Sequence, residues 1–167
     1  MQIPSMKIPI RYLPKSLSKK DKEKQLKMLK KSRKLYKKNN YYTRKKLPTF
    51  QSKVSPHIVK ARKIYKTDKI IPNTYLSKAT GCSKQTLRKI VSKGQGAYFS
   101  SGSRPNQSAQ SWGLARLASS ITGGKAAAVD FNIIEKGCNH RKKAFKMAVS
   151  AKKKYGYGHG ATRKIPI

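Results

Sequence analysis

Residues 74–93, TYLSKATGCSKQTLRKIVSK, carry the clearest packing pattern of the chain. Gly81 supplies the positive φ that a tight turn needs, and Ser83 is a favourable N-cap for a helix that begins after it. The positions that two helices meeting at Gly81 would bury are small or apolar: Leu76, Ser77, Gly81, Cys82, Leu87 and Ile90. The pattern therefore predicts a helix-turn-helix arrangement within a mainly α fold.

The outer face of the second helix of this pair is polar and basic. The side chains that it would offer to a DNA groove or a phosphate backbone are Lys84, Gln85, Arg88 and Lys89. Residues 74–93 resemble the helix-turn-helix unit of bacterial repressors, and the resemblance implies that this helix contacts DNA. Two packed helices with a glycine turn also build ordinary helical domains, so both interpretations stay open at the level of the sequence.

Residues 94–107, GQGAYFSSGSRPNQ, are rich in glycine and serine and are predicted to form a loop. Backbone N–H groups and hydroxyls ahead of a helix, with Arg104 beside them, are suited to hold an anion. A hydrogen-bonded structural turn is the alternative interpretation of this loop. Three helices are predicted after it: 108–121, 125–136 and 141–154.

The chain divides into four predicted segments. They are an extended basic Ile/Pro arm at 1–17, a basic helix and linker at 18–54, a helical domain of about five helices at 55–154, and a flexible glycine-rich tail at 155–167. Ser18 followed by Asp21 is typical of a capping box, which predicts a helix from there to about Lys38. Ser55 before Pro56 predicts the start of another helix, because proline is favoured at the first helical position.

A four-residue motif, Lys-Ile-Pro-Ile, occurs at residues 7–10 and again at 164–167. Isoleucines between prolines are poor choices for a solvated tail. We therefore interpret the two motifs as extended segments that dock into apolar grooves. One location for these grooves is a neighbouring subunit. The docking residues are Ile8, Pro9, Ile10, Ile165, Pro166 and Ile167. Chance recurrence of so short a motif is the alternative.

The charge of the chain is extreme. Its 167 residues include 41 Lys and Arg against 5 Asp and Glu, a formal net charge of +36. Such a surplus repels itself in a compact protein, so a polyanionic partner or an acidic neighbour is implied. Lysine outnumbers arginine 32 to 9. Because arginine is the usual residue for bidentate base recognition, the ratio favours diffuse attraction over base-specific contacts.

The composition also argues against several classes of protein. Five carboxylates leave little material for acid–base catalysis, and two cysteines with three histidines do not supply a zinc-finger framework. The longest run without a charged residue, 105–115, is far shorter than the roughly 20 residues that span a bilayer. No signal peptide is expected. We therefore expect no enzymatic activity, no cofactor, no metal site and no small-molecule substrate, and we expect both cysteines to be reduced thiols.

Two stretches are unlike generic basic sequence: YYTRKK at 41–46 and GQGAYFSSGSRPNQSAQSWGLARLASSITGGKAAAVDFNIIEKGC at 94–138. Together they resemble a domain family of unassigned function carried by large eukaryotic DNA viruses, the chloroviruses and related viruses of algae and protists. The resemblance covers roughly residues 31–150. It implies a viral protein that is packaged in the particle and assembled in the host cytoplasm or virus factory.

These observations lead to two principal hypotheses. The first is a non-enzymatic virion structural protein, of the minor capsid or cementing type, that binds acidic neighbours through basic faces and docks by its arms. Its partners would be other capsid proteins, with viral DNA or an acidic inner-membrane surface as further candidates. The second is a basic DNA-binding or DNA-condensing protein. A nucleic-acid enzyme using the loop at 94–107 is a remote third, because the sequence offers no nucleophile–base pair.

Overall fold

A computed structural model describes residues 7–156 and 163–166. Its elements are β1 (Lys7–Pro9), α1 (Lys19–Tyr36), α2 (Pro56–Tyr65), α3 (Thr74–Thr80), α4 (Lys84–Ser100), α5 (Ala109–Ile121), α6 (Lys125–Val129), α7 (Phe131–Gly137), α8 (Lys143–Tyr155) and β2 (Lys164–Pro166). The mainly α prediction is confirmed: the described residues contain eight α-helices, and seven of them, α2 to α8, fall in the predicted helical domain where about five were expected. None of the described helices is long and apolar enough to cross a membrane.

The chain forms two compact units. The first unit consists of Met1–Lys53, Gly96–Ala109 and Thr162–Ile167, and the second of Val54–Gln95 and Gln110–Ala161. The sequence predicts one domain over all of 55–154. The difference arises because the last turn of α4 and the bend after it hydrogen-bond with α1, as Ser32 Oγ does to the carbonyl of Phe99 at 3.0 Å.

In the first unit, α1 buries a polar face. Ser18 caps the helix as predicted, its hydroxyl accepting from the amide of Asp21 at 3.1 Å. Leu29 is buried, but so are Gln25 and Ser32. The Gln25 amide donates to the carbonyl of Tyr12 at 3.1 Å. The apolar stripe of α1 is thin because hydrogen bonds to backbone carbonyls supplement apolar contacts on this face.

Arg44, from the YYTRKK stretch, is a buried cation with neutral partners. Its guanidinium donates to Ser32 Oγ at 2.9 Å, to the carbonyl of Tyr98 at 2.8 Å and to Ser103 Oγ at 2.8 Å. It also lies over the Tyr98 ring at 3.8 Å from the centroid. Burial lowers the pKa of this guanidinium from its ordinary value. The group therefore joins three separate segments of the first unit, and its role there is structural.

Replacing Arg44 with methionine keeps most of the aliphatic stem but removes every donor of the guanidinium. We expect the free energy of unfolding to fall by about 1–3 kcal/mol, because buried acceptors lose their partner. Urea denaturation followed by circular dichroism measures the change. The matched control is Lys45→Met at the exposed neighbouring position, expected to shift stability by less than about 0.5 kcal/mol. Equal stability of the two variants would contradict the structural role.

In the second unit, helices pack closely where glycines face each other. A Cβ placed on Gly113 of α5 would lie 2.7 Å from the carbonyl oxygen of Val91, and one on Gly94 of α4 would lie 2.6 Å from the Gly113 Cα. The predicted loop at 94–107 is therefore wrong for residues 94–100, which continue α4. Gly94 serves close helix packing, whereas residues 101–107 are non-helical as expected.

The predicted helix at 125–136 is two helices, α6 and α7, that meet at Asp130. The amide of Asp130 donates to the carbonyl of Ala126, and its own carbonyl accepts from Ile133 and Ile134. α7 ends with Gly137, one residue beyond the predicted end of the helix. The core of the second unit is built from the buried side chains of these helices and their neighbours, among them Leu76, Leu87, Ile90, Leu117, Ile121, Phe131, Ile134 and Ala148.

Candidate polyanion-binding site

The four side chains predicted to meet a polyanion lie together on the first two turns of α4. Lys84, Gln85, Arg88 and Lys89 are all exposed. The opposite face of the helix packs inward, where Leu87 and Ile90 are fully buried. The 3.6-residue period of the helix thus separates a basic surface from an apolar one.

The turn before α4 has the geometry that the sequence predicted. Gly81 adopts φ of 78° and ends α3. The Ser83 hydroxyl accepts from the amide of Thr86 at 3.1 Å and caps α4. Ser77 donates to the carbonyl of Cys82 at 2.6 Å, which closes the turn from the side of α3. Two consecutive helices joined by a tight turn are therefore present at 74–93, and α4 then runs to Ser100, well beyond the predicted second helix.

A disulfide joins Cys82 to Cys138, so the prediction of two reduced thiols is wrong. The two residues form an antiparallel bridge, with their Cα atoms 3.9 Å apart. Flanking backbone bonds hold the same two segments together, from the Ser83 amide to the carbonyl of Gly137 and from the Asn139 amide to the carbonyl of Gly81. The prediction failed because it considered the redox compartment and not the distance between the two segments.

A cleft of about 440 Å³ opens between the first two turns of α4 and the length of α7. Its lining residues are Ser83, Gln85, Thr86, Lys89, Asn132, Ile133, Lys136 and Gly137. Gly137 permits the close approach of the two helices, because a Cβ there would collide with the Thr86 side chain. The structure therefore places Gln85 and Lys89 at this cleft, and it brings to them Asn132 and Lys136.

Four cations at the start of α4 and in the cleft lack acidic partners among the described residues. Within the described residues, Lys84, Arg88, Lys89 and Lys136 have no carboxylate within 4 Å. Asp130, the buried acid of the second unit, pairs with Lys93 and Arg116 instead. The positive charge of this surface is therefore left to solvent and to a partner of opposite charge.

Asp130 is fully buried and accepts from two cations of the second unit. Arg116 donates two hydrogen bonds to its carboxylate, at 2.8 and 2.7 Å, and Lys93 donates a third at 3.0 Å. Burial alone would raise the pKa of Asp130, but these hydrogen bonds and charges outweigh it and lower the pKa below its ordinary value. The carboxylate is ionised at neutral pH and stabilises the junction of α6 and α7.

Arg104 is exposed in the bend that follows α4 and belongs to the first unit. Its carbonyl accepts from the Ser103 hydroxyl at 2.7 Å. Asn106, two residues on, donates to the carbonyl of Phe50 at 2.8 Å and to that of Leu47 at 3.2 Å. This part of the predicted loop is thus a hydrogen-bonded turn that anchors the linker, which is the alternative that the sequence left open.

The Lys-Ile-Pro segments of the two motifs pair with each other. β1 and β2 are antiparallel, with Ile8 opposite Ile165 and Pro9 opposite Lys164. Ile8 and Pro9 are buried, whereas Pro166 is exposed. The amide of Ile10 donates to the carbonyl of Arg163 at 3.0 Å. This pairing within one chain differs from docking on a neighbouring subunit; residues 1–6, 157–162 and 167, including the predicted docking residue Ile167, lie outside the described residues.

Sequence reasoning missed the residues that α7 contributes to the cleft. Asn132 and Lys136 stand four residues apart, as do Gln85 and Lys89 on α4, so each pair shares a helix face. That spacing was visible in the sequence, but the pairing of the two helices was not. Among the described residues, no three His, Cys, Asp or Glu side chains cluster where they could hold a metal ion.

A comparison with protein-family models finds that residues 9–155 match DUF5824, a family of unknown function. The match spans all eight helices, both cysteines and the cleft. No curated protein and no solved structure matches the chain. Because the matched region covers most of the sequence, the chain belongs to the DUF5824 family.

Proposed function

We propose that the chain is a non-enzymatic structural protein of a virion, of the minor capsid or cementing type, that binds acidic neighbours through its basic faces. The observation that carries this proposal is the exposed positive charge at the start of α4 and in the cleft, which has no acidic partner among the described residues, on a chain whose net charge is +36. A compact protein with such a charge repels itself, and a polyanionic or acidic partner removes that cost.

The buried polar groups of both units support a structural role. Arg44 donates its hydrogen bonds within the first unit. Asp130 accepts hydrogen bonds from Arg116 and Lys93 within the second unit. These are the residue types from which an active site is usually built, and here they hold the fold. The proposed setting, the particle of a large DNA virus assembled in the host cytoplasm, rests on the resemblance carried by residues 41–46 and 94–138.

The test is fractionation of purified virus particles under graded salt and detergent, with mass spectrometry following this chain. Each fraction is compared with and without nuclease treatment. We expect the chain to sediment with emptied, nuclease-treated shells together with other capsid proteins. Release together with the genome, in a salt-dependent manner, would overturn the capsid proposal, and absence from the particle would overturn the virion setting.

DNA binding is the second candidate function, and one observation favours it. The exposed start of α4 presents Lys84, Gln85, Arg88 and Lys89 next to a capped helix-turn-helix turn. Protein–DNA binding by such a surface is salt-dependent, because each phosphate contact releases condensed counterions.

The expected result for this candidate concerns the double variant Lys84→Ala/Arg88→Ala. If both side chains contact phosphates, the slope of log affinity for duplex DNA against log salt becomes shallower by about 2. The control is Lys30→Ala/Lys34→Ala, which removes the same charge from exposed positions of α1. Fluorescence anisotropy over a salt series measures both slopes. Equal changes in the two variants would mean diffuse attraction and would contradict a specific role of α4.

A further inference from the structure

The cleft between α4 and α7 has matching walls. Gln85 and Lys89 contribute an amide and an ammonium from α4, and Asn132 and Lys136 contribute the same two groups from α7. In each helix the two residues are four apart and so lie on one face. Hydrogen-bond donors therefore border the cleft on two sides. Ile133 adds an apolar surface to the lining.

The floor of the cleft is fixed by covalent and hydrogen bonds. Cys82 immediately precedes the cap of α4, and Cys138 immediately follows α7, so the disulfide ties the two walls together. The Gly137 carbonyl accepts from the Ser83 amide at 3.0 Å and lies 3.4 Å from the Thr86 hydroxyl. This carbonyl at the C-terminus of α7 is thus satisfied within the fold. The backbone of both walls is therefore held in place by the fold itself, which lowers the ordering cost of binding for the backbone.

The donors indicate the chemistry of the ligand. Lysine ammonium groups and neutral amides suit an anion with several acceptor oxygens, and lysine is a common phosphate ligand that acts as a point charge. A phosphate group presents oxygens in tetrahedral directions, which matches donors on opposing walls better than a planar carboxylate does. The volume of about 440 Å³ exceeds one phosphate group and leaves room for the attached ester, against which Ile133 would pack.

We propose that this cleft is a binding site for a phosphate ester, held by Lys89 and Lys136 with Gln85 and Asn132 as further donors. The proposal rests on the proposed binding of polyanions and names the position and chemistry of one contact. Two sources carry the same chemistry: the phosphodiester backbone of a nucleic acid and a free nucleotide. The backbone is the source we expect, because further cations at Lys84 and Arg88 continue along α4.

The experiment uses the full oxidised chain labelled with ¹⁵N and titrated with inorganic phosphate at constant ionic strength. We expect amide shifts concentrated at residues 83–89 and 132–137. The variant Lys89→Gln/Lys136→Gln is expected to lose these shifts and to bind a 12-nucleotide DNA strand at least about tenfold more weakly. The control Lys60→Gln/Lys63→Gln removes the same charge from exposed positions of α2 and is expected to keep the shifts.

Each outcome has a separate meaning. Shifts spread evenly over the basic surface, or equal weakening by the cleft and control variants, overturn the cleft while binding of polyanions stands. If the wild-type chain binds neither the DNA strand nor an acidic polypeptide, the proposed function itself is overturned. Adenosine monophosphate is titrated in parallel: tighter binding of the DNA strand supports the backbone as the source, and equal or tighter binding of the nucleotide overturns that assignment. An unchanged urea midpoint confirms that the exposed cleft substitutions leave the fold intact.

Discussion

Replacement of both Cys82 and Cys138 by alanine is expected to lower the free energy of unfolding by about 4 kcal/mol. The cross-link spans 56 residues, and in the chain-entropy description a loop of this length restricts the unfolded state by that amount. Alanine at both positions avoids burying a new hydroxyl, since both side chains are buried. Urea denaturation of the oxidised wild type and of the double variant measures the difference.

A reduced wild-type sample is the matched control, because it keeps the sequence and removes only the bond. Its stability in excess dithiothreitol is expected to approach that of the double variant. Intact mass spectrometry establishes which state is present, since the oxidised chain is lighter by two hydrogens. A double variant as stable as the oxidised wild type would contradict a stabilising cross-link between these segments.

Asp130→Ala is expected to destabilise the protein by about 3 kcal/mol or more, because it leaves the Arg116 and Lys93 charges without their buried partner. The loss falls toward the lower end of the range for broken buried ion pairs, since Arg116 keeps 20% of its side chain exposed. Thermal or urea denaturation at neutral pH measures the effect. The exposed Asp68→Ala substitution is the control, with an expected change below about 0.5 kcal/mol.

The same carboxylate gives the wild type an acid dependence that the variant lacks. Because the pKa of Asp130 is lower in the folded than in the unfolded chain, its contribution is complete above the unfolded value, near 3.8, and is lost as the pH falls through the folded pKa. The stability difference between wild type and Asp130→Ala should therefore shrink below about pH 4. A constant difference across this range would contradict the ionised, ion-paired assignment.

Features that depend on neighbouring residues were predictable from the sequence. The caps at Ser18 and Ser55 and the left-handed turn at Gly81 formed where expected. Each depends on one side chain or one φ angle acting within a single turn, so no knowledge of distant segments is required.

Features that depend on distant segments were not predictable in the same way. From the sequence alone Gly94 is typical of a loop, because its contact with Gly113 depends on the packing of two helices. In the same way Cys82 is typical of a free thiol, because its neighbour Cys138 is distant in the sequence. Asp130 did leave a signal, because no acid stands between Asp68 and Asp130. Half of the candidate site, Gln85 and Lys89, was predicted; the α7 half required the packing of the two helices.

Viewed as a covalent graph, the oxidised chain is a ring with two tails. The ring closes at the Cys82–Cys138 bond and contains α4, α5, α6 and α7. A single peptide-bond cleavage between α4 and α5, at residues 101–108, opens the ring without releasing a fragment. Both walls of the cleft belong to the ring, so they stay on one molecule after such a nick, and reduction is then required to separate them.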